Sequence, residues 1–373
     1  MIGVISYLVF FSTIASILAI AVLGLNLQWG NTGLFNGGVA AFFGAGAYGM
    51  ILLGGSAQPD RIGGFDLFYP LALIGGMLIT GVLACVVGML TLRLRHDYLA
   101  IATFGVAVAF ENVVRNAEGL TGGAKGMRGF ERPFEVAIGD PFLFNILFFV
   151  FVLGVLVAVY LFLEKLIRSP FGRLLRAIRE DETAAQSLGK NPSRIRLSAF
   201  IVGSVIMGLA GGLYGTFYAF VSPQDVLPAL TFQIWAMLIV GGAGNNKGAI
   251  AGAFLIWATW TTSGWVLSRL APVEVQIYLG TVQFILIGTI IVGMLMWRPQ
   301  GLLPEKLVLS HRWRRKRQLT RFRWPAVSLF HPAEICRRVL LPESGFPTHR
   351  PFELRLPPGP PMRPRFDQTG EDC

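Results

Sequence analysis

Between Val4 and Trp297 the chain sets long apolar stretches between short polar ones, without the two-residue alternation of a barrel strand. A helix needs about 20 mostly apolar residues to cross a bilayer core. Eight stretches approach or exceed that length: Val4–Leu23, Leu34–Leu53, Phe68–Leu92, Tyr98–Val114, Phe142–Leu163, Leu197–Val221, Ala249–Leu267 and Val275–Trp297. A further piece, Ala229–Val240, is too short for one straight crossing, and Pro223, Pro228 and the sequence GGAGNNKG bracket it with breakers. The pattern predicts one broken or re-entrant helix there, tolerated only where its irregular backbone is buried in protein or lines a wet cavity. The predicted fold is an all-α integral membrane protein, a polytopic bundle of about 8–9 transmembrane helices.

Composition agrees: 53% of the 373 residues are hydrophobic and 14% charged, with a mean hydropathy of +0.59. The first apolar run has no basic segment before it, so it reads as a retained anchor and not as a cleaved signal peptide. Net charge is +11, of which +7 falls from His311 onward, where 13 Lys and Arg face 6 Asp and Glu. The basic balance therefore reflects loops and a tail, not nucleic-acid binding. Two arginines in Arg93–Asp97, eight Lys and Arg between Glu164 and Arg196, and a basic segment after Arg298 put those three regions in the cytoplasm. The N-terminus is then periplasmic and the C-terminus cytoplasmic. Residues 1–310 form the membrane domain; 311–373, rich in Arg and Pro, read as a disordered basic extension. Cys85, Cys336 and Cys373 are too scattered for a disulfide framework or a metal site.

The most charged segment of the first 310 residues, 164–196, lies between two apolar blocks. Pro170 opens a helix, carboxylates at Glu180–Glu182 favour the start of a second, and Gly189 followed by Pro192 ends it. A solvated positive-inside loop would share this composition. The compact helical signals, with small residues Ala184 and Ala185 on the surface, suit docking into a groove of a soluble partner.

Polar residues within the spans are few. Glu111 and Arg115 stand four apart, the spacing of a supporting ion pair, though an ionisable residue in a membrane is also a candidate for the solute path, and Asn112 adjoins them. Asn26, Gln28, Asn31 and Asn36 surround the expected break between the first two spans, as caps or as cavity lining, and Gln233 in the short helix admits the same two readings. Small residues at four-residue spacing, as in GLAGGLYG and KGAIAGAF, predict close helix packing. GGAGNNKGAIAG fails the phosphate-loop pattern because Asn246 and Gly248 flank Lys247, and neither HExxH nor GxSxG occurs. No catalytic, metal or cofactor site is expected, so any ATP hydrolysis belongs to another chain.

GRLLRAIREDETAAQSLGKNPSRIRLSAFIVGSVIMGLAGGLYG resembles the cytoplasmic loop and following span of LivM-type permeases of branched-chain amino acid ABC importers. LNLQWGNTGLFNGGVAAFFGAGAYG, DYLAIATFGVAVAFENVVRNAEGLTGGAKGM and MWRPQGLLPE extend the resemblance over nearly all of 1–310 and none of the tail. It implies a permease subunit of an importer for branched-chain or other small amino acids in the bacterial inner membrane. Its implied partners are a second, LivH-type permease, two cytoplasmic ATP-binding subunits and a periplasmic substrate-binding protein. The family's EAA coupling motif falls on Glu182, Ala184, Ala185 and Gly189, with Arg176 and Arg179 on the preceding helix. Asn31, Asn36, Glu111, Asn112 and Gln233 are the candidates for the solute path. Leu34, Asn36 and Val39 depart from the family's common Gln, Ser and His. Urea-importer permeases belong to the same broad family and give an alternative cargo; a stand-alone secondary transporter or channel is the alternative of another class, and would call for ionisable residues deep in the spans.

Overall fold

The computed structural model describes residues 2–57, 62–94, 96–128, 132, 139–270, 279–298 and 300–305. The chain divides into two units, Met1–Val308 and Leu309–Cys373, and all described residues belong to the first. The expected basic tail, with Cys336 and Cys373, lies outside the described residues.

Among the described residues, seven helices are long and apolar enough to cross a membrane: α1 (Ile2–Thr32), α3 (Tyr69–Thr91), α4 (His96–Asn116), α6 (Pro141–Arg168), α9 (Pro192–Tyr218), α11 (Asn246–Leu270) and α12 (Leu279–Trp297). Two apolar helices are shorter, α2 (Val39–Gly54) and α10 (Pro228–Gly241). Outside the spans are α5 (Glu118–Thr121), α7 (Pro170–Glu180) and α8 (Glu182–Ser187). Strands β1 (Met127–Arg128) and β2 (Phe220–Val221) form an antiparallel pair with Met127 opposite Val221. The all-α polytopic fold is as expected.

Several boundaries differ, and those around the first break matter most. The first helix continues nine residues beyond the expected Leu23, to Thr32, and the second starts at Val39 instead of Leu34. Between them the chain leaves helical geometry at Gly33, whose φ is +72°. There are thus two short helices beside buried irregular backbone, where the sequence pattern predicts one.

Helix α2 is the centre of the bundle: every residue from Val39 to Ile51 is buried, against α9, α3, α4 and α10. Its glycines and alanines permit this. A Cβ on Gly46 would overlap the Gly208 carbonyl of α9, and one on Gly211 would overlap the Phe43 carbonyl of α2. Backbone-to-backbone contact gives dispersion attraction in an environment where lipid removes the hydrophobic drive for helix association. Helix α3 likewise turns Ala72, Gly76, Thr80 and Ala84 inward at four-residue spacing. Leu71, Ile74, Leu78 and Val82 are exposed on its other side, as a lipid-facing surface requires. Helix α6 buries Phe144, Phe148, Val152 and Leu156 on one stripe.

Chain reversals gather at two ends. Gly33, the α7–α8 pair, 242–245 and 301–305 meet at one. At the other, Ile62 N–H donates to the Gly119 carbonyl and β1 pairs with β2.

Gly211→Val should cost more than the about 1–3 kcal/mol of ordinary overpacking, because the neighbour to be displaced is backbone. Gly105→Ala, where an added Cβ meets nothing within 4 Å, should leave the thermal unfolding midpoint in detergent unchanged or slightly raised.

Candidate functional site

The amides of the first break are bound to one another and to four other helices. Gln28 of α1 donates through Nε2 to the Phe200 carbonyl at 2.8 Å and to Ser204 Oγ at 3.0 Å, both on α9. Its Oε1 accepts from Asn36 Nδ2 at 2.8 Å, while Asn36 Oδ1 accepts from Gly38 N–H at 2.7 Å. Trp235 of α10 donates to the Asn36 carbonyl at 2.9 Å, and Gly37 N–H donates to Thr103 Oγ1 of α4 at 2.9 Å. Asn26 donates to Asn246 Oδ1 of α11 at 2.8 Å and accepts from Gly244 N–H at 2.8 Å. Asn31 donates to the Asn26 carbonyl at 3.2 Å, and its own Oδ1 is buried with no partner. Asn26, Gln28, Asn31 and Asn36 are all fully buried. Asn26 and Asn36 satisfy backbone outside helices, at Gly244 and Gly38, while Gln28 and Asn31 bond carbonyls within helices.

The other candidates lie apart. Glu111 is buried and pairs with Arg115 one turn on, whereas Asn112 is exposed and donates to the Val108 carbonyl of its own helix. Gln233 of α10 lines a cavity of about 220 Å³ between α1, α9, α10 and α11. Pro223–Val226, a 3-10 turn, and the start of α10 line it too, so irregular backbone at this second break borders a cavity, as the sequence pattern requires.

Outside the spans, α7 and α8 form a compact pair. Pro170 opens α7, and Asp181 caps α8, accepting from Ala184 N–H at 3.0 Å and Thr183 Oγ1 at 2.7 Å. These bonds, the Ala184 one foremost, hold the Asp181 carboxyl below the usual carboxylate range. The cap is therefore complete above the ordinary range and is lost only as pH falls through the lowered value. Gly189 ends the pair with φ +71°.

Gly172, Leu175 and Ile178 are the buried face of α7. Arg179 is folded inward: its guanidinium donates to the Gly30 carbonyl at the end of α1 and to both Glu305 oxygens at 3.2 and 3.0 Å. Segment 301–305 is itself held to α10, with Leu302 N–H on the Val240 carbonyl at 2.9 Å and Leu303 N–H on the Gly241 carbonyl at 3.1 Å. Arg176 reaches the Ile167 carbonyl at 3.3 Å.

One expectation is corrected here. Ala185 is not on the surface but buried, at 5% exposure, because α8 packs on α7 and α9 and is drawn there by a 2.8 Å ion pair between Glu182 and Arg196. Ala184 is exposed, as is Leu188, at 79%.

Sequence reasoning missed Glu305 and Gly30, partners of Arg179, and Asp225, Tyr214 and Trp257, which share the Gln233 cavity. Asp225, a carboxylate between two prolines beside a helix break, carried a usable signal; the indole and phenol come from distant helices and did not.

A glycine-packed bundle of long apolar helices, with two shorter ones beside irregular backbone and a clamped helix pair at one end, defines a multi-pass membrane protein. Residues 7–296 match the family model described as branched-chain amino acid transport system / permease component, and the chain belongs to that family. It is 32% identical to the high-affinity branched-chain amino acid transport system permease protein LivM of Escherichia coli (strain K12), covering 79% of this chain and 69% of that protein. The probable branched-chain amino acid transport permease protein LivM of Methanocaldococcus jannaschii is 26% identical, over 79% of this chain and 92% of its own. The same organism's probable LivH permease is 33% identical over 28% of this chain and 32% of its own. No solved structure matches.

Gln28→Leu leaves Asn36 Nδ2 without its acceptor in a buried setting, at a cost of about 1–3 kcal/mol, and the thermal unfolding midpoint should fall by several degrees. Asn112→Ala, at an exposed site, should leave it unchanged.

Proposed function

We propose that the chain is one permease subunit of an ATP-driven importer that carries branched-chain or other small aliphatic amino acids across the bacterial inner membrane. In this reading a second, LivH-type permease completes the translocation unit, two ATP-binding subunits supply the power stroke, and a periplasmic binding protein delivers the solute. The N-terminus is outside the cell membrane and the α7–α8 end is cytoplasmic. The relatives' names support the cargo, and the absence of a phosphate-loop pattern in the sequence supports assigning ATP hydrolysis to separate subunits.

The observation that carries the mechanism is the Arg179 clamp. An ATP-binding subunit would grip the α7–α8 pair by its exposed side, with Ala184 and Leu188 seated in the groove and Gly189 allowing the chain to turn away. Glu182 and Arg196 hold α8 to the membrane helix below it, and Arg176 holds α7 to the end of α6. Movement of the pair then reaches α1 through the Gly30 carbonyl, and α10 through Glu305 and the segment attached to it. Force applied at one point would shift both broken regions of the bundle together. A stand-alone ion-coupled transporter is less well supported, since the family model and the LivM relatives are permease components of branched-chain amino acid transport systems.

Burying a leucine is worth about 1.5–3 kcal/mol, so Leu188→Asp should weaken attachment of the ATP-binding subunits by at least about tenfold without lowering thermal stability, measured by co-purification. Arg179→Gln should keep the subunits attached and hydrolysing ATP while amino-acid uptake into proteoliposomes falls. Uptake at the normal rate per ATP would refute the clamp as transmitter.

A further inference from the structure

The cavity beside the second helix break has room for a small amino acid: its volume is about 220 Å³, and an apolar cavity of about 150 Å³ already takes benzene. Its polar groups are of two kinds. Asp225 accepts from Tyr214 Oη at 2.9 Å, from Ser222 N–H at 2.8 Å and from Ser222 Oγ at 2.7 Å, and among the described residues no Lys or Arg forms an ion pair with it. The rings of Tyr214, Tyr218, Trp257 and Trp260 line the same space. A carboxylate without a counter-charge, beside several aromatic faces, is a cation subsite. Gln233 Nε2 and Trp257 Nε1, by contrast, are buried N–H donors with no acceptor. Buried donors are nearly always paired; these two are closed off as the cavity stands, and rotation of either side chain would present its N–H to a solute. Ile14, Leu18, Phe43 and Leu230 make the remaining wall apolar.

We infer that this cavity binds the transported solute as a zwitterion. The ammonium sits against Asp225 and the aromatic rings, the carboxylate accepts from the Gln233 amide and the Trp257 indole, and an aliphatic side chain lies on Ile14, Leu18 and Phe43. The assignment rests on the importer reading and adds to it a site, a binding mode and a selectivity. A molecule with only one of the two charged groups, or a neutral amide such as urea, leaves one subsite unfilled.

The test uses the complete transporter, chain plus partner subunits, in proteoliposomes, with Cys85, Cys336 and Cys373 replaced by serine and Ala229→Cys introduced at the cavity wall. Saturating leucine should slow labelling of that cysteine by a small charged thiol reagent about fivefold or more, whereas isobutylamine and isovalerate should not. Asp225→Asn should abolish the protection and cut leucine uptake by about tenfold, the worth of one charge-assisted contact, at an unchanged yield of assembled complex. Should that variant fail to assemble, Trp257→Phe keeps the ring, loses the N–H and should reduce uptake about fivefold. Normal uptake by Asp225→Asn, Gln233→Leu and Trp257→Phe, or equal protection by isobutylamine and leucine, would overturn the zwitterion site and leave the importer reading standing. Failure of the unmodified transporter to take up any amino acid with ATP would overturn both.

Discussion

A peptide group buried away from water must find its hydrogen-bond partner within the protein, and the chain leaves helical geometry twice beside buried side chains. At Gly33–Gly38 the freed backbone is met by Asn36, Thr103 and Trp235, which Gln28 in turn ties to α9. At Ser222–Leu227 a capping box between Ser222 and Asp225 satisfies the turn, but the surrounding side chains border a cavity and two donors stay unpaired. The two breaks therefore differ in kind. The first is bonded to four other helices, with Asn31 Oδ1 left unpaired among its amides; the second borders a cavity.

That difference suits a machine driven from one end. A buried network bonded to several helices resists deformation because each bond polarises the next and each loss strands a partner. Glycine contacts between α2 and α9 add to this stiffness, since backbone cannot move aside as a side chain can. Arg179 fastens the α7–α8 pair to the stiff region at Gly30 and, through Glu305, to the segment held on α10. In the proposed mechanism, displacement entering at the pair is carried as rigid-body motion and not absorbed by local bending. The Gln233 cavity is lined by α1, α9, α10 and α11, three of which the pair holds directly or through Glu305.

Hydropathy alone revealed the spans and the fold class, because a bilayer imposes length and apolarity directly on sequence. The α7–α8 pair was equally legible: Pro170, the acidic Glu180–Glu182 cluster and Gly189 are local signals with local causes. The boundary between α1 and α2 was not. Asn26 and Gln28 stay in the helix because their partners, Asn246, Gly244 and Phe200, lie about 170–220 residues away, and no local pattern reports that. Ala185 was misassigned for a related reason, since the inward face of a six-residue helix is set by Arg196 on another element. Gln233 was singled out for standing in a broken helix, yet its companions Asp225, Tyr214 and Trp257 come together only in three dimensions.

The central claim is that the α7–α8 pair and the membrane elements it touches move as one body, clamped by Arg179. Spin labels at Ser187 and Leu303, both exposed, would measure it in the assembled transporter in nanodiscs, by comparing their separation at rest and with the ATP-binding subunits trapped closed. The account predicts one unchanged distance in the two states, and a shift between them once Arg179→Gln is introduced. A distance that changes with Arg179 intact would contradict it.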